Sequence, residues 1–265
     1  VDRIYQQMLK WNAQWRLDVD IANVTAAISA VNLAGPDARK VLQALCSDVD
    51  LSSEGFPYLG VRQGTVAGIK ARLLRVGFVG ELGYEIHVPA RYGEALLREM
   101  LTRGAEFDPV VYGTEALGVM RIEKGHVAGG ELNGQSTALN MGLGKMVSKK
   151  KDSIGMVLSQ REGMNQPGGY RLVGVKPVDP KASISAGSHF MEIGAPVELA
   201  SDGGWLTSKV YSPHLGCDIA LGIVEGQKFN RPQAPNGKGG SMTLQDLDGY
   251  QAAVREPIDD ASSKW

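Results

Sequence analysis

Cysteine is scarce. Two in 265 residues, Cys46 and Cys217, make neither a disulfide framework nor a zinc site, and such sparing use points to a reducing compartment, the cytoplasm. An excess of one charge is lacking too. The 28 basic residues face 29 acidic ones, so no general attraction draws the chain to nucleic acid or to an anionic membrane. No apolar run approaches the roughly 18 residues of a spanning helix. The opening, Val1-Asp2-Arg3-Ile4-Tyr5, has no initiator Met and no apolar leader, which is the expectation for a processed or excised piece. A nucleophile elbow, a P-loop, zinc-ligand spacing and a dinucleotide fingerprint are all missing. The histidines His87, His126, His189 and His214 are scattered without metal-ligand spacing, so structural roles are expected for them and no metal site.

Glycine, in contrast, is abundant. Its 34 residues are nearly twice the usual share, and with 12 prolines and no G-X-Y period they indicate turn-rich β structure rather than collagen. A 43% hydrophobic content is ample for buried cores, and the length suggests about two compact units.

Hydrophobic spacing places the elements. Ile4, Met8, Trp11 and Trp15 recur at helical intervals, predicting an amphipathic helix with its apolar face inward. A β-prone run over 24–33 leads through Gly35-Pro36-Asp37 into a short helix with Val41, Leu42 and Leu45 on its apolar face. A hairpin over 64–76 turns at Gly68, a strand follows over 84–88, and a helix over 92–103 points Ala95, Leu96, Met100 and Leu101 inward. This order predicts an α+β layer, helices on one face of a mostly antiparallel sheet. Asp108-Pro109 opens a new region with a helix over 114–124, a polar glycine-rich stretch over 129–144, and a helical turn after Lys149-Lys150-Lys151. Gln166-Pro167-Gly168-Gly169 reads as a linker. Beyond it, strands near 172–175, 195–199, 206–211 and 219–224 suggest a small β-barrel or sandwich. The tail from Asn230 reads as loosely packed as far as 250–254.

Chemistry has few candidates. The glycines of Gly77-Phe78-Val79-Gly80-Glu81-Leu82-Gly83 serve either a tight turn or a close backbone approach to a ligand. Glu123 closes the 114–124 helix three and six residues after Met120 and Leu117, near the expected buried stripe, where a carboxylate needs a partner. That partner is a structural ion pair or the paired N–H groups of a planar heterocycle. The triple lysine is either a solvated face or an attractor for a ligand carboxylate.

Four ordered segments resemble the folate-binding aminomethyltransferase family, typified by the glycine cleavage T protein. They are Leu33-Ala34-Gly35-Pro36-Asp37-Ala38-Arg39, the segment from Gly77 to Ile86, the helix running from Tyr112-Gly113 to Arg121-Ile122-Glu123-Lys124-Gly125, and Thr207-Ser208 continuing through Ser212-Pro213-His214-Leu215-Gly216 to Gly222. Phe56-Pro57, the 64–68 segment and 149–155 look most like the branch at the C-terminal part of sarcosine oxidase alpha subunits. The resemblance runs from about Val24 to Val224.

It implies part of a three-domain cloverleaf around tetrahydrofolate: an α+β, ferredoxin-like portion at 1–107, part of the central folate-binding domain at 108–166 and a small C-terminal β-barrel at 167–265. It assigns Glu123 to the pterin, Lys149, Lys150 and Lys151 to the glutamyl carboxylate, and Tyr84 to the same ligand. Family members continue on the N-terminal side of the part matching Val1, with a functionally important aspartate there, so no catalytic residue is named in this chain. The implied activity is capture of the one-carbon unit from oxidative demethylation of sarcosine as 5,10-methylenetetrahydrofolate. Any flavin or NAD sits elsewhere in a hetero-oligomeric complex with other oxidase subunits. The rivals are an aminomethyltransferase acting on a lipoyl carrier and a non-catalytic folate-binding scaffold. A redox role like that of the iron–sulfur repair relatives is disfavoured, because His126 stands where they carry a cysteine.

Overall fold

In the computed structural model the described residues are 1–164, 166, 168–191, 194–226, 242–245 and 251–255. They fall into two compact units that meet in sequence between Val111 and Tyr112.

The first unit is an antiparallel sheet with helices packed on it. Strands β1 (Ile28–Ala34), β2 (Val61–Val66), β3 (Ile69–Leu74) and β4 (Gly83–Pro89) lie in the order β1-β4-β3-β2. β2 and β3 are joined by the two-residue turn Ala67-Gly68, with φ of 49° and 77°. Two positive-φ residues are what a hairpin turn matched to strand twist requires. Helices α2 (Ala38–Leu45) and α3 (Gly93–Arg103) supply Ala38, Val41, Leu42, Leu45, Leu96 and Met100 to a core shared with Val66, Leu73, Tyr84, Ile86 and Val88. Each large side chain buried there contributes roughly 1.5–3 kcal/mol. Ala95 and Leu101, expected inward, are exposed; α3 buries a stripe only wide enough for Leu96 and Met100.

Helix α1 (Asp2–Trp15) forms where its spacing predicts, but no residue of it is buried. Ile4, Met8 and Trp15 are 62%, 52% and 49% exposed, which overturns the expected inward face. What holds its C-terminal end is local: Trp11 stacks on Trp15 at 4.9 Å, and the Asn12 amide donates to the Val19 carbonyl at 3.0 Å. The periodicity sets the helix, and no element among the described residues covers its stripe.

The second unit begins with α4 (Thr114–Lys124) and α5 (Ile154–Ser159) and continues into a five-stranded antiparallel sheet. Its strands are β5 (Tyr170–Pro177), β6 (Gly204–Ser212), β7 (Cys217–Glu225), β8 (Met242–Gln245) and β9 (Gln251–Arg255), ordered β6-β7-β5-β9-β8. β7 is buried on both faces. Ala220 and Val224 join Val173, Val175, Phe190 and Leu206 on one side, while Ile219, Leu221 and Ile223 join Leu172 and Ile122 of α4 on the other. Where a small barrel was expected, the described strands make this single sheet, with β6 and β8 at its two ends. The strand expected over 195–199 does not form. Pro196 removes a ladder donor, and the segment ends in a 3-10 turn at Leu199–Ser201 with Val197 and Leu199 exposed. The proposed linker includes Pro167, and the tail from Asn230 falls mostly outside the described residues.

Candidate functional site

α4 carries the candidate acid, and its end is set by a glycine. Gly125 takes φ 84°, its N–H reaches the Ile122 carbonyl at 3.0 Å, and the His126 N–H reaches that of Arg121 at 2.8 Å. This paired closure stops the helix with a residue that tolerates the left-handed region. Arg121 and Glu123 are therefore fixed in the last turn.

β6 receives both. Trp205 and Val210 pack on the same cluster as Ile122, yet one is odd-numbered and the other even. A regular strand alternates its faces, so parity must switch between them. It switches at a bulge between Leu206 and Ser208. Consecutive residues Thr207 and Ser208 then present their hydroxyls to the same carboxylate, and the even-numbered positions Ser208 and Ser212 follow on the α4 side.

Glu123 accepts a 2.5 Å hydrogen bond on Oε1 from the Ser212 hydroxyl. Ser212 is fully buried, and its oxygen accepts the Leu215 N–H at 3.1 Å, which commits its proton to Glu123. As a residue Glu123 is nonetheless exposed, correcting the expectation that it lies near the buried stripe. α4 turns Ile122 into the core instead, leaving the neighbouring Glu123 at the rim. Its second oxygen, Oε2, has no protein donor among the described residues.

A buried acid of this unit, Glu131, is one that sequence reasoning missed. Glu131 has no exposed side-chain surface. Its Oε2 accepts from Arg121 Nη1 at 2.9 Å and from the Ala128 N–H at 2.7 Å, and its Oε1 from the Thr207 hydroxyl at 2.7 Å and the Ser208 hydroxyl. Arg121 also donates to Ser208 Oγ at 2.8 Å and to the His126 carbonyl at 3.1 Å. Burial alone raises a carboxyl pKa, but the hydrogen bonds from Ser208, Thr207 and Ala128 and the Arg121 charge outweigh it and hold Glu131 below its ordinary value. His126 is shifted downward, by burial and then by the nearby Lys124 charge.

The other expected site residues are not gathered around Glu123. Lys149 lines a cleft of about 780 Å³ together with Arg161 and the apolar side chains of Leu139, Val147, Met156, Leu158 and Met164. Glu123 is not among that cleft's lining residues. Lys150 and Lys151 are exposed beside Lys149 and do not line it. Tyr84 lies in the first unit's core with no exposed surface. Its hydroxyl accepts from Arg39 Nε at 3.1 Å, and the Arg75 guanidinium sits over its ring at 5.1 Å. A ring so enclosed has no face to offer a ligand, so Tyr84 is a packing residue. Arg161 carried no motif signal and emerges because it closely follows α5, whose Met156 and Leu158 line the same cleft.

Sequence comparison defines the class. Residues 1–151, more than half of the chain, match the GCVT N-terminal domain family, and the chain belongs to it. Among its relatives, the sarcosine oxidase subunit alpha of Rhizobium meliloti (strain 1021) is 43% identical over 212 residues, 79% of this chain and 21% of that protein. An aminomethyltransferase of Desulforamulus reducens is 32% identical over 78% of this chain and 54% of its own length. The fold is shared with the glycine cleavage system aminomethyltransferase T from Bartonella henselae at a TM-score of 0.61 and 20% identity, covering 87% of this chain and 59% of that one. The chain thus spans about a fifth of the oxidase subunit it matches and about half of the aminomethyltransferase. No helix among the described residues is long and apolar enough to cross a membrane.

Proposed function

We propose that this chain is the tetrahydrofolate-binding, C-terminal part of a sarcosine oxidase alpha subunit, and that its folate contacts centre on Glu123. The observation that carries the reading is the Glu123–Ser212 pair in a chain of the GCVT family. One carboxylate oxygen is anchored at 2.5 Å by a buried hydroxyl, the other has no donor among the described residues, and Glu123 is an exposed residue. An ionised carboxylate only accepts hydrogen bonds, and a pterin edge presents N3–H and a 2-amino group, both donors, so the chemistries match. Lys149 and Arg161, which line the same cleft, would meet the glutamyl carboxylate, and the exposed Lys150 and Lys151 would add charge nearby. The apolar cleft wall suits the aromatic middle of such a ligand. Tyr84 has no part in it.

When bound, the reduced folate supplies the nucleophilic nitrogens that take up a one-carbon unit, the product being 5,10-methylenetetrahydrofolate. The chain's own residues orient the ligand, and no general base is named among the described residues. Oxidation of sarcosine would fall to a flavin, with NAD if used, elsewhere in a cytoplasmic hetero-oligomer whose other subunits are this chain's partners, with neither nucleic acid nor membrane involved. The domain limits at 107 and 166 and closure of the second sheet into a barrel belong to the same proposal.

Titrating the native protein with tetrahydrofolate tests it. Saturable binding with a pterin difference spectrum is expected, and its absence would leave a scaffold that docks other subunits without binding folate. An aminomethyltransferase would instead turn over an aminomethyl-lipoyl substrate.

A further inference from the structure

We infer that Glu131 is a positioning residue for Glu123, so that the buried carboxylate sets how well the surface one meets its ligand. The inference rests on the folate reading above and adds to it a second acid that touches no ligand. All four of its hydrogen bonds come from the protein. A carboxylate has about four acceptor sites, so none is left for an incoming donor.

Its effect reaches Glu123 through two fixed lines. Along α4, Arg121 lies two residues before Glu123, and Glu131 holds its guanidinium at 2.9 Å. Along β6, Ser208 lies four residues before Ser212 on the same face, and its hydroxyl donates to Glu131 while accepting from Arg121 at 2.8 Å. The helix is therefore tied to the strand at two points, Arg121–Ser208 and Glu123–Ser212, and Glu131 braces the first on both sides. With Ile122 between them packed in the core, these two ties narrow the rotation of α4 about its axis. Losing the first loosens the angle at which the Glu123 carboxylate is presented on the Ser212 hydroxyl. Recognition of two parallel donors is sensitive to that angle, because both bonds must be made in one plane.

The experiment compares affinities for tetrahydrofolate and for its analogue with the 2-amino group replaced by methyl, in the native protein and in Glu123→Gln, Glu131→Gln and the double variant. The ratio of the two affinities reports the alignment of the acceptor and is unmoved by a change in folded fraction. The wild type is expected to favour tetrahydrofolate by about tenfold or more, as befits hydrogen bonds to a charged group. Glu131→Gln should collapse most of that preference while thermal melting still shows a folded protein, and the double variant should be no worse than Glu123→Gln. Ser208→Ala, which removes one donor to Glu131 and one acceptor for Arg121, should lower the ratio about threefold and serves if Glu131→Gln does not fold. A wild-type ratio in Glu123→Gln would sink the folate reading itself. A reduced ratio there with wild-type ratios in Glu131→Gln and Ser208→Ala would overturn the positioning role alone.

Discussion

The two units of this chain hold together by different means. In the first, α2 and α3 lay apolar stripes on a sheet, and Leu42, Leu73, Ile86 and Leu96 have no exposed surface. Its buried charge is Arg75, spread over the Tyr84 ring and donating to the Gly83 carbonyl at 3.2 Å. In the second, the apolar side chains are divided by β7 into two smaller clusters, and buried carboxylates tie the irregular segments to the sheet. Glu131 fastens the 126–131 loop and α4 to β6. Asp218 of β7 collects the Ser183 hydroxyl at 2.9 Å, the Ile184 N–H at 3.1 Å and Lys209 at 2.9 Å. Apolar packing tolerates small shifts of the elements it joins, whereas a saturated carboxylate fixes orientation.

The contrast can be broken by substitution. Glu131→Ala should cost the second unit about 4 kcal/mol, because Arg121 is left 12% exposed with its charge uncompensated; denaturant titration followed by a probe in that unit measures it. Leu42→Ala should cost the first unit about 3 kcal/mol by leaving a cavity, with no change in folate affinity.

Acid should separate the units further. Glu131 and Asp218 both have folded pKa values below their ordinary ones. For Asp218, hydrogen bonds from Lys209, Ile184 and Ser183 overcome the opposing effect of burial. Their stabilisation is therefore complete above the ordinary carboxyl range near pH 4 and is lost as pH falls through the lowered values. In the first unit Asp48 and Asp50 are also lowered, by the Thr65 and Ser52 backbone N–H groups, but they are solvated and contribute little. Thermal melts between pH 6 and 3 should show the second unit losing more stability than the first. Smallest of all is Met8→Lys on the uncovered stripe of α1, which should shift stability by less than about 0.5 kcal/mol.

Much of the fold was legible in the sequence because it rests on local rules. The Ala67-Gly68 turn, the α2 stripe and the α4 limits follow from turn chemistry and helical spacing. The burial of α1 did not follow, since periodicity marks a face without saying what covers it. Of the candidate site, Glu123 stood out from its place at a helix end, but its exposure did not, because the same helix turns Ile122 inward instead. Glu131 was hidden for a different reason. It stands in a glycine-rich stretch with no period, and its partners Thr207 and Ser208 face it together only through a bulge that no residue pattern announces. The pairing spans 76 residues of sequence, and only the fold brings its ends together.

Calorimetric titration of tetrahydrofolate into the native protein and its Glu123→Gln variant is the decisive measurement. Gln keeps the shape and the Ser212 contact but replaces a charged acceptor with an amide, so affinity should fall between about tenfold and a hundredfold. Equal affinity in the two proteins would contradict the assignment of the pterin to this side chain.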